Sequence, residues 1–101
     1  MGNLIVYTTA ENNKAAEELA KAILSNKLGA CIQLTEVKSL YNWKGKQESS
    51  KEIKLSIKTT TKKYKELQSF IMKNSKYELP EIVSVKIKGS KDYLNWMNEV
   101  L

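Results

Sequence analysis

Residues 41–58 read Tyr41-Asn42-Trp43-Lys44-Gly45-Lys46-Gln47-Glu48-Ser49-Ser50-Lys51-Glu52-Ile53-Lys54-Leu55-Ser56-Ile57-Lys58, and this stretch decides the fold. Ile53, Leu55 and Ile57 alternate with Lys54, Ser56 and Lys58, the period of two that marks a strand with one buried face. Ahead of them Lys44-Gly45-Lys46 is a turn. Before the turn, Ala30-Cys31-Ile32-Gln33-Leu34-Thr35 has a strand pattern that runs on toward Leu40-Tyr41-Asn42-Trp43. The two segments predict a hairpin with strands at about 29–41 and 50–60, longer than one small sheet requires.

Working outward, Leu4-Ile5-Val6-Tyr7-Thr8-Thr9 is β-branched and aromatic without polar alternation, as in a central strand covered on both faces; it predicts a strand at about 3–9. Asn12 or Asn13 can cap the next element, in which Ala16, Leu19, Ala20, Ile23, Leu24 and Leu28 recur at helical spacing. That predicts a helix at about 13–27, with Gly29 as its left-handed stop. Thr59-Thr60-Thr61 closes the hairpin and can cap a second helix at about 61–74, whose apolar face is Tyr64, Leu67, Phe70 and Ile71. After Pro80, Val83, Val85 and Ile87 alternate with Ser84, Lys86 and Lys88 in a strand at about 81–88. Ser90 can cap a helix at about 91–99 that places Tyr93, Leu94, Met97, Val100 and Leu101 on one face. The order βαββαβα, with no linker or repeat, predicts an α+β, ferredoxin-like split βαβ sandwich in one domain, residues 1–101.

Composition narrows the chemistry. All 17 basic residues are lysine and the net charge is +6. The lysines are scattered along strand-like and helix-like segments, and arginine, which reads guanine and phosphate bidentately, is missing. A solvated surface, with no nucleic-acid partner, is the expectation. Histidine is absent too, which removes the usual acid–base group near neutrality and the commonest metal ligand. The one cysteine, Cys31, has no second thiol to pair with, apolar runs are far short of a membrane span, and a basic-then-apolar leader is lacking. Together these predict a cytoplasmic protein without a membrane partner.

Three places can carry function. Tyr41 and Trp43 put two large aromatics at the end of a hairpin that outruns its sheet, as suits contact with another subunit or a ligand. Tyr77-Glu78-Leu79-Pro80-Glu81 sets two carboxylates about a rigid turn; such a pair can bind a cation, act as acid and base, or form surface ion pairs. Cys31 opens the second strand and is either a small core residue or a reactive thiol.

Taken in order, Tyr7-Thr8-Thr9, Gly29-Ala30-Cys31, Tyr41-Asn42-Trp43-Lys44-Gly45-Lys46, Lys58-Thr59, Tyr77-Glu78-Leu79-Pro80-Glu81-Ile82 and Asp92-Tyr93-Leu94-Asn95-Trp96 resemble the CutA divalent-cation-tolerance family over nearly the whole chain. The resemblance implies a ferredoxin-like subunit, a homotrimer without enzymatic activity, and a part in tolerance of divalent metal ions, copper above all. It implies no required cofactor. Family members proposed to hold copper carry histidines where this chain has Asn74 and Ser75, and some carry a cysteine where it has Thr8. Glu81 and Cys31 are left as candidate ligands for a weakly bound divalent cation, since thiolate and imidazole are what favour copper. Tyr41, Trp43, Tyr77, Pro80 and Trp96 are expected at the oligomer contact or the cleft beside it. A second reading is a trimeric small-ligand sensor like the PII signalling proteins, with Tyr41, Trp43, Glu81 and Trp96 lining the cleft. An RNA-binding module of the same topology would stack bases on aromatics of its central strands, and the strand from Ile53 to Thr59 has none.

Overall fold

The computed structural model describes residues 2–101. Along the chain run β1 (Asn3–Ala10), α1 (Asn13–Ser25), β2 (Cys31–Trp43), β3 (Lys46–Thr60), α2 (Tyr64–Asn74, entered through a 3-10 turn, Thr61–Lys63), β4 (Val83–Ile87) and α3 (Lys91–Val100). The four strands form one antiparallel sheet in the order β2-β3-β1-β4. The apolar run of β1 thus sits inside the sheet, and Ile53–Lys58 lies in β3 as the alternation requires.

Register assigns the two faces. Leu4 lies opposite Thr59, Val6 opposite Ile57 and Thr8 opposite Leu55, and all six side chains are buried. They face α1 and α2, whose Ala16, Leu19, Ile23, Leu67 and Ile71 complete the core. The alternate residues, among them Ile5, Tyr7 and Lys58 with Val83 and Val85 of β4, share the other face. There α3 touches β3, with the Tyr93 hydroxyl 3.2 Å from Lys58 Nζ.

The caps follow the sequence at two helices. Asn12 Oδ1 accepts the Ala15 N–H at 2.8 Å, and Ser90 Oγ accepts the Tyr93 N–H at 3.4 Å. No threonine side chain caps the start at residues 60–61, and the first turn there winds as a 3-10 helix instead.

The end of α1 departs from expectation. Lys27, not Gly29, takes the left-handed conformation (φ 57°), and the Leu28 N–H reaches back to the Ile23 carbonyl at 3.1 Å, as a Schellman closure does. Gly29 is needed for a different reason: a Cβ there would stand 2.9 Å from Ile57 Cγ2 and 3.2 Å from Ile23 Cγ2. Its bareness lets the α1–β2 connection pass close over the sheet. Gly29→Ala is expected to destabilise the protein by about 1–3 kcal/mol through overpacking, seen as a lower urea midpoint at unchanged slope; an unshifted midpoint would show that the loop yields freely.

The hairpin turn is tight. Lys44 and Gly45 have φ of 50° and 79°, and Trp43 pairs with Lys46, a two-residue connection of the type whose twist matches the strands. β1 ends opposite Ile53, so Lys46–Glu52 and the facing half of β2 run on without it. At about 3.4 Å per residue this ribbon overhangs by roughly 24 Å, which accounts for extents of 45 × 24 × 22 Å.

Candidate functional site

Where β1 stops, the 75–82 connection lies beside the overhanging ribbon. Between them lies a groove of about 780 Å³, lined by Thr9, Leu40, Tyr41, Trp43, Lys44, Glu52, Tyr77, Glu78, Leu79 and Glu81, among others. Cross-strand register puts Tyr41, Trp43 and Glu52 on one face of the ribbon. At its tip Lys44 Nζ lies 3.6 Å from Glu78 Oε2 and 5.5 Å from the centre of the Trp43 ring. Exposed side chains make that ion pair worth little in stability, but it ties the tip to the connection and gives the groove a wall.

Tyr77 forms the inner corner. Burial, then a hydrogen bond to the Glu52 carboxylate, then the charges of Glu52 and Glu11 push its hydroxyl well above the ordinary phenol range. The neutral phenol is the form that the fold favours. Its contribution is therefore complete below the unfolded pKa of about 10 and is lost as pH rises through the higher folded value. Of five tyrosines, one is expected to ionise last in an ultraviolet titration, and that late component should vanish in Tyr77→Phe. Persistence of the late component in the variant would place it on another residue.

The structure brings together Tyr41, Trp43, Tyr77 and Glu81 of the residues singled out from sequence, with Pro80 in the connection that carries Glu81. It does not bring in Cys31 or Trp96. Cys31 begins β2, on the opposite edge of the sheet from β4 and the Glu81 that precedes it, some three strand spacings or about 14 Å away; one ion cannot hold both within a chain. Trp96 stacks on Tyr93 of α3, ring centres 5.4 Å apart. Thr8 is buried on the helix-covered face with its hydroxyl unpartnered. Asn74 donates its side-chain amide to the Phe70 carbonyl at 2.7 Å, and Ser75 Oγ accepts the Tyr77 N–H at 3.2 Å, so both serve the end of α2. Among the described residues, no three His, Cys, Asp or Glu side chains converge to hold a metal ion. Glu52 escaped the sequence reading because it falls in the polar half of β3; the signal was a carboxylate on the ribbon face shared with Tyr41 and Trp43.

Comparison with known proteins covers almost the whole chain. A family model described as CutA1 divalent ion tolerance protein matches residues 4–100. A divalent-cation tolerance protein CutA of Yersinia pestis is 36% identical over 100 residues, 97% of this chain and 84% of that protein. A chloroplastic CutA of Arabidopsis thaliana is 35% identical over 97 residues, 94% of this chain; the chain spans about half, 53%, of that relative's length. A solved CutA of Archaeoglobus fulgidus, described as a periplasmic divalent cation tolerance protein, superposes with a TM-score of 0.95 at 32% identity, covering 97% of each chain.

Proposed function

The chain belongs to the CutA1 divalent ion tolerance family, and on that premise we propose that it acts as a non-enzymatic homotrimer in the cell's response to divalent metal ions. One observation carries the assembly. On the sheet face that α1 and α2 leave free, the β1–β4 part is apolar, with Val83 51% and Val85 46% exposed beside half-buried Ile5 and Tyr7, while Lys54, Ser56 and Lys58 make the β3 part polar. Trp96, Tyr93 and Val100 of α3 and Leu40 and Tyr41 of the ribbon are further exposed apolar side chains. Surface of this extent marks an interaction site, and a long free ribbon edge invites pairing with another chain. Identical copies meeting head to tail close the surface when the rotation closes; three-fold closure is the number implied by the family resemblance.

The metal role is held to be weak at the level of the single chain. Glu81 offers a hard oxygen ligand, but among the described residues no three carboxylate or thiol groups converge; histidine is absent, and the one soft ligand, the Cys31 thiol, lies at the far edge of the sheet from it. The lone thiol of Cys31 fits a reducing compartment, and we place the protein in the cytoplasm; no helix is long and apolar enough to cross a membrane. Light scattering is expected to give about three times the 11.5 kDa chain mass, and calorimetry with copper only weak binding. A monomer at micromolar concentration would overturn the assembly, and a tight stoichiometric copper complex surviving Cys31→Ser and Glu81→Gln would overturn the metal reading.

A further inference from the structure

We propose that Glu48 of one copy pairs with Lys54 of the next and so fixes where each ribbon docks in the closed assembly; the inference rests on the trimer proposed above. It starts from a charge that the assembly covers. Lys54 is half-buried on the sheet face that α1 and α2 leave free, opposite Thr9 in the register, and its ammonium lies 4.1 Å from the centre of the Tyr7 ring. A ring face attracts an ammonium but does not cancel its charge. Among the described residues the ion pairs are Lys44 with Glu78 and Lys76 with Glu11, and neither takes Lys54. Tyr7 lies opposite Val83 in the apolar part of that face, so a neighbour that covers the ring also covers the ammonium. Sealed there without a carboxylate, one such charge per copy would oppose the assembly. Lys58 is a different case, because its ammonium is already met within the chain, 3.2 Å from the Tyr93 hydroxyl of α3.

The ribbon carries the complement. Alternation along β3 puts two carboxylates, Glu52 and Glu48, on the ribbon face that continues the Lys54 face. Glu52 accepts a hydrogen bond from the Tyr77 hydroxyl of its own chain, whereas Glu48 is exposed and belongs to neither ion pair. Glu48 stands on the stretch that outruns β1, six residues before Lys54, or roughly 20 Å along an extended strand. It is out of reach of the Lys54 of its own chain and placed to meet a neighbour's. The two surfaces also match column for column. On the body, Tyr7 and Ile5 of β1 run beside Lys54 of β3; on the ribbon, exposed Tyr41 of β2 lies opposite Glu48 of β3. One strand spacing, about 4.8 Å, separates the apolar column from the charged one in both. Laid face to face, the ribbon sets Tyr41 on apolar side chains when Glu48 meets Lys54, and the opposite charges favour that register over its alternatives.

A charge exchange tests the pairing on the intact protein. Light scattering over a dilution series reads the assembly, and subunit exchange between ordinary and isotope-labelled chains, followed by native mass spectrometry, reads it for a trimer too tight to dilute. Glu48→Lys and Lys54→Glu each set like charges against one another, and each is expected to raise the half-dissociation concentration or the exchange rate by about tenfold or more. The double variant restores opposite charges in exchanged places and is expected to return to within about threefold of the unmodified protein. Circular dichroism checks that each variant folds. Single variants as tight as the unmodified protein, or a double variant no tighter than the weaker single one, would overturn the pairing while leaving the trimer in place. An unmodified trimer tightened by phosphate at constant ionic strength would assign Lys54 to a bound anion and overturn it too. An unmodified protein that is monomeric would overturn the trimer and this pairing with it.

Discussion

Val85→Asp is expected to convert the assembly to monomers without unfolding the chain. Val85 lies opposite Ile5 on the free sheet face and is 46% exposed in the single chain; as a surface change on an edge strand it should alter monomer stability by no more than about 0.5 kcal/mol. In a closed trimer the same position would be sealed against its neighbours. Each copy would then bury an unpaired carboxylate, at an effective cost of several kcal/mol per charge, repeated by symmetry at every interface. Light scattering should fall from about three chain masses to one while far-ultraviolet circular dichroism stays put. Tyr41→Ala and Trp43→Ala should weaken the assembly by less, because Trp43 already packs partly within its own chain beside Lys44. A Val85→Asp protein that remains trimeric would place the interface elsewhere.

Ile57→Ala should bring the largest loss of stability. Ile57 is fully buried, lies opposite both Val6 and Ile32 in the register, and supplies the Cγ2 on which bare Gly29 rests. Removing its outer carbons deletes contacts with two strands and a loop at once, and β3, paired on both sides, has little freedom to collapse into the gap. The cost is about 2–5 kcal/mol, against a typical total of roughly 5–15 for a domain of this kind. A urea midpoint lower by about 1–2 M is expected at equal protein concentration, with Ile57→Val losing only a fraction of that. A shift below about 0.3 M would mean that the layer repacks around the hole.

Much of this was legible in the chain because its signals are local. The alternation at Ile53–Lys58, the helical spacing from Ala16 to Ile23 and the caps at Asn12 and Ser90 all depend on backbone geometry within a few residues, and the structure shows each; the helix stops at Ser25, short of Leu28. The ribbon is longer than the side-chain pattern predicts: β3 starts at Lys46, not near 50, through a polar stretch without alternation. Strand pairing there is carried by main-chain bonds to β2, which leave no mark on side-chain pattern. That the left-handed stop is Lys27 and not Gly29 has a similar reason. A glycine suits a left-handed position, but the close approach of Ile57 is made by a residue 28 positions away.

By itself the sequence determined which segments are helix and strand, the antiparallel α+β order, the absence of histidine chemistry, and the six segments that resemble the CutA family. Those properties reside in residue type and short-range spacing. Only the tertiary structure decided that Tyr41, Trp43, Glu52, Tyr77, Glu78 and Glu81 share one groove, and that Cys31 and Trp96 do not. The separation along the chain between Glu52 and Glu78 conveys nothing about their distance in space. It is closed by β1 ending at Ala10 while β3 runs on, so that the connection after α2 crosses the gap left at the sheet's end.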